Sequence, residues 1–204
     1  MNALRGTLFS LLFAALCLAV STEAIAAGAS GSKPLDQTVT DLKTASAGSD
    51  ATLKSLADET AGKAAALDKS LGTNSQAKAQ LQQALASLTG NRGAASLSSL
   101  QGLSKAKLTP EQGRLAKDVY HTGSAYVVQR NFSSLEGSQG EVAQLVGSLR
   151  KGGSADALPA LKKIGENAKL TADQKDLLSS LSDQYAPGLK KAGNALKKIP
   201  GFGQ

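Results

Sequence analysis

The sequence has no tryptophan, one histidine, one cysteine and one methionine in 204 residues, and aromatic residues make up only 3% of it. Each shortage removes a class of chemistry. Zinc sites combine several His and Cys ligands, and His121 alone would have to be completed by carboxylates. The acidic residues never fall at the alternate spacing of a calcium loop. Gly152-Gly153 lacks the Gly-Lys-Ser/Thr ending of a phosphate-binding loop. No cofactor is therefore expected. The few tyrosines and phenylalanines are too scattered to stack nucleobases, so nucleic acid is not expected as a partner. β-branched and aromatic residues never alternate with period two over a useful length, and no sheet is expected.

What is present begins with a leader. Arg5 is followed by a nearly unbroken apolar run from Leu8 to Val20, and Ala24-Ile25-Ala26 offers small residues where a signal peptidase cuts. The run is shorter than the roughly 20 residues of a membrane-spanning helix. Leu16 before Cys17 does not fit a lipoprotein site. Residues 1–26 are read as a signal peptide, 27–33 as a flexible mature N-terminus, and 34–204 as a single all-helical domain. Export to the periplasm or beyond follows. Cys17 leaves with the leader, so the mature chain has no disulfide to close.

From Pro34 onward the pattern is helical. Leu35, Val39, Leu42, Leu53, Leu56, Leu67, Leu81 and Leu88 share one heptad register. Ser46, Ser49, Thr60, Lys63, Ser70 and Asn74 fill the seam positions between them, and Gly48, Gly62 and Gly72 weaken it, which argues against a coiled coil. Asp50 and Asn74 or Ser75 can cap helices running to about Leu71 and Thr89, with Gly90 and Gly93 breaking the chain. Thr109-Pro110-Glu111-Gln112 reads as a capping box with proline at its first turn, and Thr171-Ala172-Asp173-Gln174 repeats it.

A longer self-similarity contains these two boxes. Leu81, Leu85, Leu88, Leu97, Leu100 and Leu103 precede Val142, Val146, Leu149, Leu158, Leu161 and Ile164 by 61 residues, and the step becomes 62 at Thr109 and Thr171. Helices are expected at about 77–89, 95–105 and 109–131, then 139–150, 155–166 and 171–184. The fold class is all-α, a multi-helix bundle or short α-solenoid, with two three-helix units at 77–137 and 138–199. Duplication and chance alignment of Ala/Leu-rich helices both account for the similarity.

Candidate chemistry is thin. Asp118, His121 and Ser124 are three residues apart, so a helix places them on one side. A Ser-His-Asp triad must converge on one carbonyl, and neighbours on a helix surface diverge. No catalytic residues are assigned, and the chain is read as no enzyme. Asn131-Phe132-Ser133 matches a glycosylation acceptor, a pattern short enough to arise by chance. At the other end, Leu189, Ala192, Leu196 and Ile199 mark one face of a segment between Pro187 and Pro200, with Lys190, Lys191, Lys197 and Lys198 on its flank. This can be a basic amphipathic helix lying on an anionic surface, or a last bundle helix with solvated lysines.

Leu108-Thr109-Pro110-Glu111-Gln112 and Leu170-Thr171-Ala172-Asp173-Gln174 both carry Leu-Thr-x-x-Gln, and in this the chain resembles the periplasmic LTxxQ stress-chaperone family. The resemblance covers these two pentapeptides and the general character of the chain, which is richer in glycine and poorer in arginine and methionine than that family. It implies an ATP-independent dimer that shields unfolded envelope proteins on a basic concave surface. The residues carried over are Leu108, Thr109, Gln112, Leu170, Thr171 and Gln174.

The net charge of +7 survives removal of Arg5 and Glu23 together. It favours an anionic envelope surface or an acidic protein partner, with peripheral membrane contact through Lys190, Lys191, Lys197 and Lys198. The function expected is a non-enzymatic exported protein working by surface contact. A holdase chaperone and a purely structural envelope protein are the alternatives.

Overall fold

A computed structural model describes residues 34–90, 92–153 and 157–185. The expected leader, the segment 27–33 and the four C-terminal lysines lie outside the described residues. Within them the chain forms eight helices and no strand: α1 (Leu35–Ser46), α2 (Ala51–Leu71), α3 (Ser75–Leu88), α4 (Gly93–Ser104), α5 (Pro110–Phe132), α6 (Gln139–Arg150), α7 (Ala157–Gly165) and α8 (Ala172–Tyr185). The all-helical bundle read from the sequence is what the chain adopts.

Local signals set most boundaries. Asp50 accepts the Leu53 amide at 2.7 Å and opens α2, and Asn74 accepts the Ala77 amide at 3.1 Å and opens α3. Each satisfies an amide that the first turn leaves without a helical partner. Gly72, at φ +55, ends α2 in the left-handed region that glycine enters without penalty. Gly93 departs from expectation. It does not break the chain but is the first residue of α4, and it is buried. A Cβ there would lie 2.8 Å from Leu177 Cδ2 and 3.1 Å from the Asn131 side chain, so its absence lets α4 start directly against α8 and α5.

The 23-residue helix α5 is the centre of the molecule. It packs on α2, α4 and α6. Every residue from Thr122 to Val128 is buried, which a helix shows only where neighbours surround it. Small residues make this feasible. At Gly123 a Cβ would meet Leu100 Cδ1 and Cδ2 at 2.9 Å, so α4 sits closer to α5 than any side chain would permit.

The remaining helices form layers around this axis. α2 packs chiefly on α5 rather than pairing as a hairpin with α3, which lies along α4; α1 covers both α2 and α3. α7 joins α6 to α8, and α8 returns onto α4. Two of the polar positions in the heptad seam, Ser46 and Thr60, are buried, which explains why the register reads as broken although the helices are packed. Ser46 manages burial by donating its hydroxyl to the Lys43 carbonyl at 2.9 Å.

Candidate functional site

The two Leu-Thr-x-x-Gln segments build the same device at the starts of α5 and α8. In the first, the Thr109 amide donates to Gln112 Oε1 at 3.1 Å and the Gln112 amide donates to Thr109 Oγ1 at 3.3 Å. In the second, the Thr171 amide donates to Gln174 Oε1 at 3.0 Å and the Gln174 amide donates to Thr171 Oγ1 at 3.2 Å. Both are reciprocal capping boxes.

Each glutamine then uses its remaining donor across the fold. Gln112 Nε2 donates to the Ser70 carbonyl at 2.8 Å, and Gln174 Nε2 donates to the Asn131 carbonyl at 2.6 Å. Ser70 and Asn131 are the penultimate residues of α2 and α5, whose last carbonyls have no helical partner. One side chain thus closes the start of one helix and the end of another. Leu108 packs partly buried against the core and Leu170 is buried, so both motif leucines anchor the entry to their helix. The acceptors Ser70 and Asn131 escape a reading of local signals. Their 61-residue separation, the same step that relates the leucines, is the clue that points to them.

Asp118, His121 and Ser124, three apart on α5, do not converge. Asp118 pairs with Arg114 at 3.3 Å on the surface of α5. Ser124 is fully buried, sealed away from any substrate. His121 is half-buried, and its Nδ1 has no hydrogen-bond partner, so neither neighbour orients the ring. Its Nε2 lies where a Cβ on Gly152 would be only 3.0 Å away. Gly152, at φ +68, ends α6 and brings bare backbone against the imidazole.

Burial lowers the His121 pKa below its ordinary 6.5; Asp118 opposes the shift, while Lys63 and Lys117 add to it. Because the folded pKa lies below the unfolded one, the unfolded chain takes up the proton first. The stability that neutral His121 provides is complete above pH 6.5 and is lost as pH falls through the folded pKa. The expected result is a urea midpoint that drops between about pH 7 and about pH 5, with a smaller drop in His121→Gln. An equal drop in both would show that His121 is not the responsible group.

Nearby, Glu59 ties α2 to the end of α6 by pairing with Lys63 at 2.9 Å and Arg150 at 2.7 Å. Burial alone would raise its pKa; the two cations outweigh that and hold the carboxyl below its ordinary 4.5. It stays charged through the window in which His121 titrates.

A second polar group is internal. Tyr120, 5% exposed, and the fully buried Ser124 face Tyr185 and Gln184 of α8, yet none of the three hydroxyls closes a well-aligned bond among the described residues. Burial raises the pKa of Tyr120 and Tyr185, keeping both neutral.

Other features read from the sequence find structural roles. Asn131 donates its side-chain amide to the Val127 carbonyl at 2.7 Å near the end of α5. No group of three or more His, Cys, Asp or Glu that could hold a metal occurs among the described residues. No helix among them is long and apolar enough to cross a membrane. An apolar groove of about 280 Å³ runs between α5 and α6 past Gln129, Val142, Val146 and Arg150. Compared with protein-family models, curated proteins and solved structures, the chain finds no match.

Proposed function

We propose that this is an exported, non-enzymatic helical protein that acts through contact of its surface with an anionic envelope component. The observation that carries the reading is a set of exposed lysines without acidic partners, on a chain whose sequence carries a net charge of +7. Exposed Lys54, Lys69, Lys105, Lys107, Lys162 and Lys175 enter no ion pair among the described residues, although exposed Lys43, Arg114, Arg150, Lys163 and Lys169 do. Cations left in solvent raise the local concentration of anions and strengthen association at low salt. The sequence adds Lys190, Lys191, Lys197 and Lys198, which extend the same charge to the C-terminus.

The test is binding to phosphatidylglycerol vesicles and to polygalacturonate beads across a salt series, with phosphatidylcholine and dextran as neutral controls. Salt-sensitive retention on an anionic surface, absent on its neutral counterpart, is the expected result. Retention on neither anionic surface would remove the reading.

A holdase of the LTxxQ kind is the second reading. The observation favouring it is that both pentapeptides form the same clasp at corresponding helix starts, as a signature used twice would require. It predicts suppression of aggregation of unfolded envelope proteins at stoichiometric ratios. Failure on several such clients would exclude it.

A further inference from the structure

We propose that the contact between His121 of α5 and the turn 151–153 at the end of α6 is an acid-sensitive switch: a proton taken up by the imidazole releases the turn from α5 while the bundle stays folded.

The imidazole is held on two sides. The Gly152 backbone lies so close that a Cβ there would stand 3.0 Å from Nε2 and 3.2 Å from Cε1. The Tyr120 ring meets the imidazole edge-on, with centroids 5.4 Å apart. Nδ1 is buried and has no hydrogen-bond partner. A neutral imidazole tolerates this arrangement. It carries one N–H, and with that proton on Nε2 the buried Nδ1 is only an unpaired acceptor. The imidazolium carries two, so protonation puts a charged donor at Nδ1 with nothing to receive it. Such a donor costs more than a neutral one, and the cost is relieved when the ring turns toward water. The Gly152 backbone stands in the way.

The charges nearby do not offset this. On α5, Asp118 favours the imidazolium but also pairs with Arg114 at 3.3 Å, and Lys117 opposes it. From α2, Lys63 opposes it too, and Glu59 is engaged by Lys63 at 2.9 Å and by Arg150 at 2.7 Å. The end of α6 brings two more cations, Arg150 and Lys151, directly before Gly152. Asp156, further along, lies outside the described residues. Burial and the two lysines outweigh Asp118 and hold the imidazole below its ordinary 6.5 while the turn is closed. A ring that has turned outward regains the ordinary value. The closed turn is therefore fully favoured above pH 6.5 and loses that advantage as pH falls through the lower, closed-state pKa.

The turn can give way locally. Gly152, at φ +68, is followed by Gly153, and two consecutive glycines absorb backbone rotation at little steric cost. Three amides tie the turn to α6: Lys151 and Gly153 donate to the Ser148 carbonyl at 3.2 and 3.0 Å, and Gly152 donates to the Leu149 carbonyl at 3.0 Å. Lys151 and Gly152 are exposed, whereas Leu149 just before them is fully buried and keeps α6 in the core. Opening the turn thus breaks few buried contacts, the condition for a local rather than a global transition.

The experiment follows the full chain by nuclear magnetic resonance from about pH 7.5 to about pH 5, the range in which a histidine titrates. It reads the His121 ring titration, the proximity of the imidazole to the Gly152 α-protons, and amide protection at 151–153 corrected for the intrinsic pH dependence of exchange. As the ring titrates, the proximity signal is expected to vanish and protection at Gly152 and Gly153 to fall roughly fivefold or more, with Leu145 and Val128 unchanged. His121→Gln, neutral throughout, abolishes the change. Lys63→Gln moves its midpoint to higher pH by removing a cation that opposes the imidazolium, and it keeps the test decisive if His121→Gln does not fold. Protection at 151–153 that holds or rises while His121 titrates would overturn the switch, a rise meaning that a carboxylate receives the imidazolium. An equal fall in His121→Gln would overturn it as well. So would loss of protection at Leu145 and Val128 in step with the turn, which is unfolding of the whole bundle.

Discussion

Phe132→Ala is expected to lower the unfolding free energy by about 3–5 kcal/mol, the range for removing a buried aromatic side chain from a packed core. Phe132 is the last residue of α5 and is fully buried, and with Tyr126 it is one of the two largest fully buried side chains in a core built mainly from leucine, alanine and valine. Neighbours of that kind relax poorly into an aromatic-sized void. For a domain of this size the loss corresponds to a fall in melting temperature of roughly 10 °C or more. Small domains are stable by only about 5–15 kcal/mol, and with no disulfide expected in the mature chain the core must provide most of it. Urea denaturation should show a lower midpoint at an unchanged slope. A loss below about 1 kcal/mol would mean that the end of α5 is not packed as described.

The second large effect is expected from Gln112→Ala combined with Gln174→Ala. Each glutamine completes a capping box and also donates to a carbonyl at the end of another helix. Losing a cap and a cross-helix bond costs about 1–2 kcal/mol per site, and two sites without shared partners add, giving about 2–4 kcal/mol together. Glutamate at the same positions separates the two roles. It can still accept the Thr109 or Thr171 amide, so the box survives, but it has no amide to donate to Ser70 or Asn131. If the clasp matters, Gln112→Glu/Gln174→Glu is nearly as destabilising as the alanine pair. If only local capping matters, the glutamates are nearly neutral.

The clasp also marks where reading the sequence stops. Thr109-Pro110-Glu111-Gln112 announces a helix start by itself, because a capping box involves residues three apart whose geometry the backbone dictates. The acceptor at Ser70 is 42 residues away, and nothing in the local chain selects it. His121 illustrates the same limit. Its spacing from Asp118 and Ser124 is visible in the sequence, but only packing turns Ser124 inward and leaves the imidazole against Gly152. The charge-poor stretch from α3 to α4 is equally visible in the letters. That α3 and α4 lie side by side is decided by packing.

By itself, then, the sequence determined the helical class, the caps at Asp50, Asn74, Thr109 and Thr171, and the helix limits to within a residue or two. These are settled by hydrogen bonds and periodicities spanning fewer than about five residues. The tertiary structure alone decided that α5 is the central helix, that Gly93 and Gly123 serve as close-approach points, and that Tyr120 meets Tyr185. Those outcomes depend on which faces bury each other. In a chain of Leu, Ala, Ser and Gly many helix faces are similarly apolar, and the choice among them falls to steric fit between distant segments.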